Sequence, residues 1–172
     1  YATPRIHFDR QTEKGEPFAY HVYGTALVEA TIDGLRGTAE VDAVRVVHDG
    51  GASLNPLVDR GQVEGAVVQG IGWLTLEELL FSDRGRLLTD TLSTYKVPDI
   101  RSAPPIEVRF LADAANPEAV GNSKAVGEPP LMYGIGAYFA LLDALRAFRP
   151  EKPLPFAAPL THEKILTWLA EP

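Results

Sequence analysis

The segment Ser123-Lys124-Ala125-Val126-Gly127-Glu128-Pro129-Pro130-Leu131 sets one carboxylate between a glycine and a proline pair, directly ahead of a long apolar stretch. Glycine lets a ligand approach the backbone closely, and two prolines fix φ and remove two donors, so Glu128 rides on a stiff turn. A glutamate is ionised at neutral pH, the state from which a general base starts. The same residues have a purely structural reading. Proline is favoured in the first helical turn, and an acid beside a helix N-terminus gains about 0.3–1 kcal/mol from the macrodipole. Of the neighbours, Gly127 is the one whose missing side chain would admit a cofactor, whereas Ser123 and Lys124 are weaker candidates, for orienting the base or touching a ligand. Lys124 also fits an ordinary solvated lysine. Further upstream, the Gln62 amide offers both donor and acceptor to a ligand edge, or is simply a polar residue near a helix start.

Composition narrows the chemistry. The chain has 172 residues, enough for one domain with a real core, and 23 acids against 16 bases give a net charge of −7. That balance lacks the basic face a nucleic-acid partner requires. Zero cysteines exclude disulfides, iron–sulfur ligation and thiolate catalysis within this segment, and the four histidines His7, His21, His48 and His162 have no metal-ligand spacing. No metal ligand is therefore expected from this chain. No apolar run is read as reaching the roughly 18 residues of a membrane helix, and no signal-peptide order opens the chain, so the expectation is a cytoplasmic protein without a membrane partner. The chain begins at Tyr1 rather than Met, and is expected to be an internal piece of a longer polypeptide.

The elements that must hold these residues are legible in outline. Residues 1–17 are polar and turn-rich, and read as an irregular lead-in. Tyr20 to Asp33 and Glu40 to His48 are strand-like and flank the turn Gly34-Leu35-Arg36-Gly37, which predicts an antiparallel hairpin. In the second strand Val41, Ala43 (or Val44) and Val46 alternate with Asp42 and Arg45, as expected of a sheet covered on one face. Asn55-Pro56 caps and starts a helix with Val63, Ala66, Val67, Gly70, Ile71 and Leu74 on one face. Its glycines, Gly61, Gly65, Gly70 and Gly72, each cost roughly 1 kcal/mol relative to alanine. Either close packing or a flat ligand against the backbone would justify them.

A second hairpin is expected around Ser82-Asp83-Arg84-Gly85, and a further strand over 106–111. Leu131 to Phe148 reads as a helix apolar nearly all round, hence buried. Residues 150–172 read as a proline-rich tail and a short helix opened by Thr161. The sum is an α+β domain of antiparallel hairpins packed with two long helices.

Several segments together resemble one family. The run Gly61 to Leu79 (GQVEGAVVQGIGWLTLEEL), then Leu92-Ser93-Thr94-Tyr95-Lys96-Val97-Pro98, then Ser123 to Leu131, are similar in order and interval to the C-terminal part of the molybdopterin-binding subunit of the xanthine dehydrogenase family of molybdenum hydroxylases. Ser53-Leu54-Asn55-Pro56 and Pro159 to Ile165 extend the likeness over most of the chain.

This resemblance implies that the 172 residues are a C-terminal fragment of a larger molybdopterin-binding domain that completes its active site with absent segments. It implies that Glu128 is the general base, taking a proton from a molybdenum-bound hydroxyl while hydride passes from a purine ring carbon to a sulfido ligand. Gln62 matches the glutamine that hydrogen-bonds the pterin, and Tyr95 reads as packing. The implied reaction is oxidation of xanthine or hypoxanthine to urate. [2Fe–2S] clusters and FAD are expected on other domains or subunits, with NAD as electron acceptor. An aldehyde oxidase or other N-heterocycle hydroxylase of the same family is the nearest alternative, and a non-catalytic subunit-contact module the more distant one. The Lys-Ala-Val-Gly-Glu-Pro-Pro-Leu form resembles the xanthine dehydrogenases more than carbon monoxide or aromatic hydroxylase relatives.

Overall fold

The structure is a computed structural model that describes residue 3 and residues 5–172. In chain order the elements are β1 (His7–Asp9), β2 (Lys14–Glu16), β3 (Gly24–Ile32), β4 (Ala39–His48), α1 (Pro56–Thr75), β5 (Ile106–Phe110), α2 (Ile135–Phe148) and α3 (His162–Ala170), with 3-10 turns at Val120–Asn122 and Pro129–Gly134. The α+β class is as expected. One sheet, ordered β3-β4-β5, carries the core, and β1 pairs with β2 separately.

The main hairpin forms between the predicted strands, with Gly24 opposite His48 and Ile32 opposite Ala39. A register shift at Glu29/Ala30 leaves Asp42 without a partner, so the buried parity of β4 changes along the strand. Val44, Val46 and His48 then point inward. The third strand departs from a purely antiparallel sheet, because β5 pairs parallel to β4. Between them the chain crosses over through α1 and a long loop, the kind of connection that parallel pairing requires.

Two apolar clusters hold the layers together. Val63, Val67 and Ile71 of α1 meet Val44, Val46 and Ala137 beneath the sheet. Tyr138, Leu141 and Leu145 of α2 meet Leu160, Ile165, Trp168 and Leu169 around α3. Asn55 caps α1 as predicted, accepting from the Val58 N–H, and Thr161 caps α3 through the Lys164 N–H.

Four expectations need correction. The lead-in is not irregular throughout: Asp9 accepts from the Gln11 N–H and the Thr12 hydroxyl, each at 2.8 Å, and this local turn folds β2 back on β1. Tyr1, Ala2 and Pro4 lie outside the described residues. The second hairpin shrinks to a closed turn around Gly85 with one bridge, Phe81 to Leu87. Helix α2 starts at Ile135, after the 3-10 turn, and is buried on one face only, since Phe139 and Phe148 are exposed. Finally, Pro129–Phe148 is long and apolar enough, by length and composition alone, to cross a bilayer. Its Ala137, Tyr138, Leu141 and Leu145 are nevertheless packed into the protein's own core.

Candidate active site

The segment that carries Glu128 is laid along the end of β4 by backbone pairing. Gly51 bridges to Ser123, the Lys124 N–H donates to Gly50 O at 2.9 Å, and the Ala52 N–H donates to Asn122 O at 2.8 Å. Asn116, buried, donates its side-chain amide to Ser123 O at 3.2 Å. Ser123 in turn donates its hydroxyl to Val120 O at 3.0 Å, within its own turn. Lys124 is not the solvated lysine of the bland reading: its ammonium lies 2.5 Å from Asp49 Oδ2, with side-chain exposures of 14% and 7%. Both weaker candidates therefore hold the loop in place from within it.

His48 completes the anchor. It is fully buried, its Nδ1 lies 2.7 Å from the Tyr133 hydroxyl, and its Nε2 lies 3.1 Å from Ala125 O. A carbonyl oxygen only accepts, so Nε2 carries the proton and the Tyr133 hydroxyl donates to Nδ1. Burial pushes the His48 imidazole below its ordinary value, against smaller opposing effects of the Ala125 bond and Asp49. The ring is therefore a neutral, single-tautomer bridge. Burial likewise pushes the Tyr133 phenol up.

Glu128 occupies the capping position ahead of the Pro129–Gly134 turn, yet its side chain caps nothing. Its backbone oxygen accepts from the Leu131 N–H at 3.1 Å. Its carboxylate is exposed and has no hydrogen-bond or ion-pair partner among the described residues. The helix-start reading thus leaves the acid unexplained.

Gln62 lies in the second turn of α1, also exposed and with its amide unpartnered among the described residues. It is brought to Gly127: a β-carbon built there would stand 3.7 Å from Gln62 Oε1. The proximity is set deeper in the fold, where α1 and the Pro129–Gly134 turn cross with Gly70 against Gly134. Close packing accounts for Gly70 and Gly72. Around Gly61 and Gly65 a β-carbon would meet nothing within 4 Å among the described residues, so packing among these does not account for the two glycines.

Of the predicted residues, Gly127 thus lies beside Gln62, Glu128 follows Gly127 in the chain and all three are exposed, whereas Ser123 and Lys124 are partly buried. Among the described residues no three His, Cys, Asp or Glu side chains converge as a metal site. Sequence reasoning missed His48, Asp49, Asn116 and Tyr133. The one available signal for His48 was its place two residues beyond Val46 in an alternating strand, which puts it on the buried face.

Comparison with known proteins bears on this surface. The sequence profile of the molybdopterin cofactor-binding domain family matches residues 1–104. Xanthine dehydrogenase/oxidase of Felis catus is 44% identical over 173 residues, covering 96% of this chain and 13% of the relative. Xanthine dehydrogenase of Oryza sativa subsp. japonica is 40% identical over 177 residues, with the same coverages. The chain therefore spans about an eighth of the length of the curated relatives it matches. The solved structure of the aldehyde oxidoreductase of Desulfovibrio gigas superposes with a TM-score of 0.76 at 28% identity, covering 96% of this chain and 17% of that one.

Proposed function

The chain belongs to the molybdopterin cofactor-binding domain family, and from that premise we propose that it forms part of the active site of a molybdenum hydroxylase that oxidises xanthine or hypoxanthine to urate. The observation that carries this reading is the Glu128 carboxylate, at a capping position it does not use and adjoining Gly127 beside the Gln62 amide, both side chains without a partner among the described residues.

The residues present fit a pterin cofactor. The Gln62 amide supplies one donor and one acceptor to a heterocycle edge that presents both, and Gly127 leaves room above it. When bound, the molybdenum cofactor would supply the redox chemistry and the oxygen that reaches the purine. Gln62 would hold the pterin edge, and Glu128 would accept the proton released as the nucleophile forms, at a carboxylate oxygen. Lys124, paired to Asp49, fixes the loop rather than touching substrate. The remaining contacts to cofactor and purine, the [2Fe–2S] clusters and the FAD would come from other domains or subunits, with NAD as acceptor.

An aldehyde or another N-heterocycle is the competing substrate class, supported by the likeness to an aldehyde oxidoreductase. The higher identity to the two xanthine dehydrogenases favours the purine. Steady-state reduction of NAD by the full-length assembled protein, offered xanthine, hypoxanthine, an aliphatic aldehyde and quinoline in turn, separates them. Turnover of the purines supports this reading, and turnover confined to aldehyde or quinoline overturns it.

A further inference from the structure

The Glu128 carboxylate has no bond of its own among the described residues, so its location is inherited from the backbone on either side. Both sides end on one imidazole. Ala125, three residues before Glu128, accepts from His48 Nε2, and Tyr133, five residues after it, donates to His48 Nδ1. We propose that His48 and Tyr133 are positioning residues for Glu128, a buried bridge that closes the turn on itself and fixes where the carboxylate stands. This rests on the reading of Glu128 as the base.

The bridge is built for a single geometry. His48 is fully buried, and its ring sits edge-on to Tyr133 at 5.8 Å and to Phe110 of β5 at 6.0 Å. The Tyr133 hydroxyl is seated over Gly24 of β3, where a β-carbon would fall 1.8 Å from its oxygen. The other charged groups at the bridge, Asp49 and Lys124, neutralise each other. An apolar residue would fill the position of His48 as Val44 and Val46 do on the same face, and would be cheaper to bury than a polar ring. What the imidazole adds is two directional bonds, one to each limb of the turn.

Positioning of this kind affects the chemical step more than binding, because misplacement of a reacting group by about 1 Å costs on the order of 100-fold in rate. The test is turnover per bound molybdenum in the full-length assembled protein, using whichever substrate the wild type oxidises. Tyr133→Phe removes the hydroxyl alone and keeps the packing. His48→Leu removes both bonds, and His48→Gln restores a donor toward Ala125 O. Tyr133→Phe and His48→Leu are expected to lower kcat per molybdenum about 10- to 100-fold while KM moves less than about 3-fold, with His48→Gln recovering part of the loss. Wild-type kcat per molybdenum in both Tyr133→Phe and His48→Leu, whatever their thermal stability or metal content, would overturn the proposal. Glu128→Gln, run beside them, isolates the underlying reading: full turnover there would remove Glu128 as the base, independently of the bridge.

Discussion

Gly70 of α1 and Gly134, which closes the turn after Glu128, meet backbone to backbone. A β-carbon on Gly134 would stand 2.6 Å from Gly70 Cα, and one on Gly70 would stand 2.2 Å from Leu131 O. Neither neighbour is a side chain that can swing away. The crossing fixes how closely the Glu128 turn approaches α1, and so sets Gly127 beside Gln62.

Gly134→Ala is therefore expected to destabilise the chain by about 1–3 kcal/mol, as overpacking at a tight contact does. Gly61→Ala, where a β-carbon meets nothing within 4 Å among the described residues, should instead gain up to about 1 kcal/mol of helix propensity. Thermal unfolding of the two variants against wild type checks the contrast, and equal midpoints would deny the crossing its role.

Lys124→Met should cost about 3–5 kcal/mol, because it strands the buried Asp49 carboxylate without its partner. Pairing it with Asp49→Asn should return most of that loss. A denaturant series on the single and double variants measures the difference, and an unrecovered double variant would mean that lost packing, not the stranded charge, dominates.

Stability should fall on mild acidification. Burial holds the folded His48 imidazole below its ordinary 6.5, so the unfolded chain takes up this proton at a higher pH than the folded one. The stabilisation is complete above the unfolded value and is lost as pH falls through the folded one, with a slope of at most about 1.4 kcal/mol per pH unit for a single proton. Asp9, Asp33 and Asp99, each held below the usual carboxylate value by local hydrogen bonds, act only in more acidic solution. Thermal midpoints between about pH 8 and pH 5 should decline in wild type and flatten in His48→Gln.

Gln62→Ala should leave the fold intact, since the side chain has no partner among the described residues and glutamine and alanine differ little in helix propensity. Molybdenum content of the assembled protein should drop at unchanged thermal stability. Undiminished metal would remove Gln62 from the cofactor contacts.

Much of this arrangement could be read from local chemistry. Asn55-Pro56 announced α1, Thr161 announced α3, and the Gly34–Gly37 turn announced the main hairpin, because caps and turns depend on a few adjacent residues. The register of β4 could not be read that way. Alternation allowed either Ala43 or Val44 to face inward, and the bulge at Asp42 decides it, since a bulge depends on the partner strand. His48 was hidden for the same reason, and its links to Ala125 and Tyr133 join segments far apart in sequence. The outward face of α2 was misread because apolar composition does not say which chain covers it. Within the site, the resemblance points to Glu128 and Gln62, whereas the approach of Gly127 to Gln62 depends on the Gly70–Gly134 crossing, which no spacing reveals.

Everything proposed for this surface turns on Glu128 accepting the proton of the oxidative step. Substrate-dependent NAD reduction by the full-length assembled protein, wild type beside Glu128→Gln and with molybdenum quantified in both, tests it most directly. A loss of about 100-fold or more in kcat is expected at equal metal loading, because the amide keeps the shape and cannot take the proton. Wild-type turnover in Glu128→Gln at full molybdenum content would contradict it.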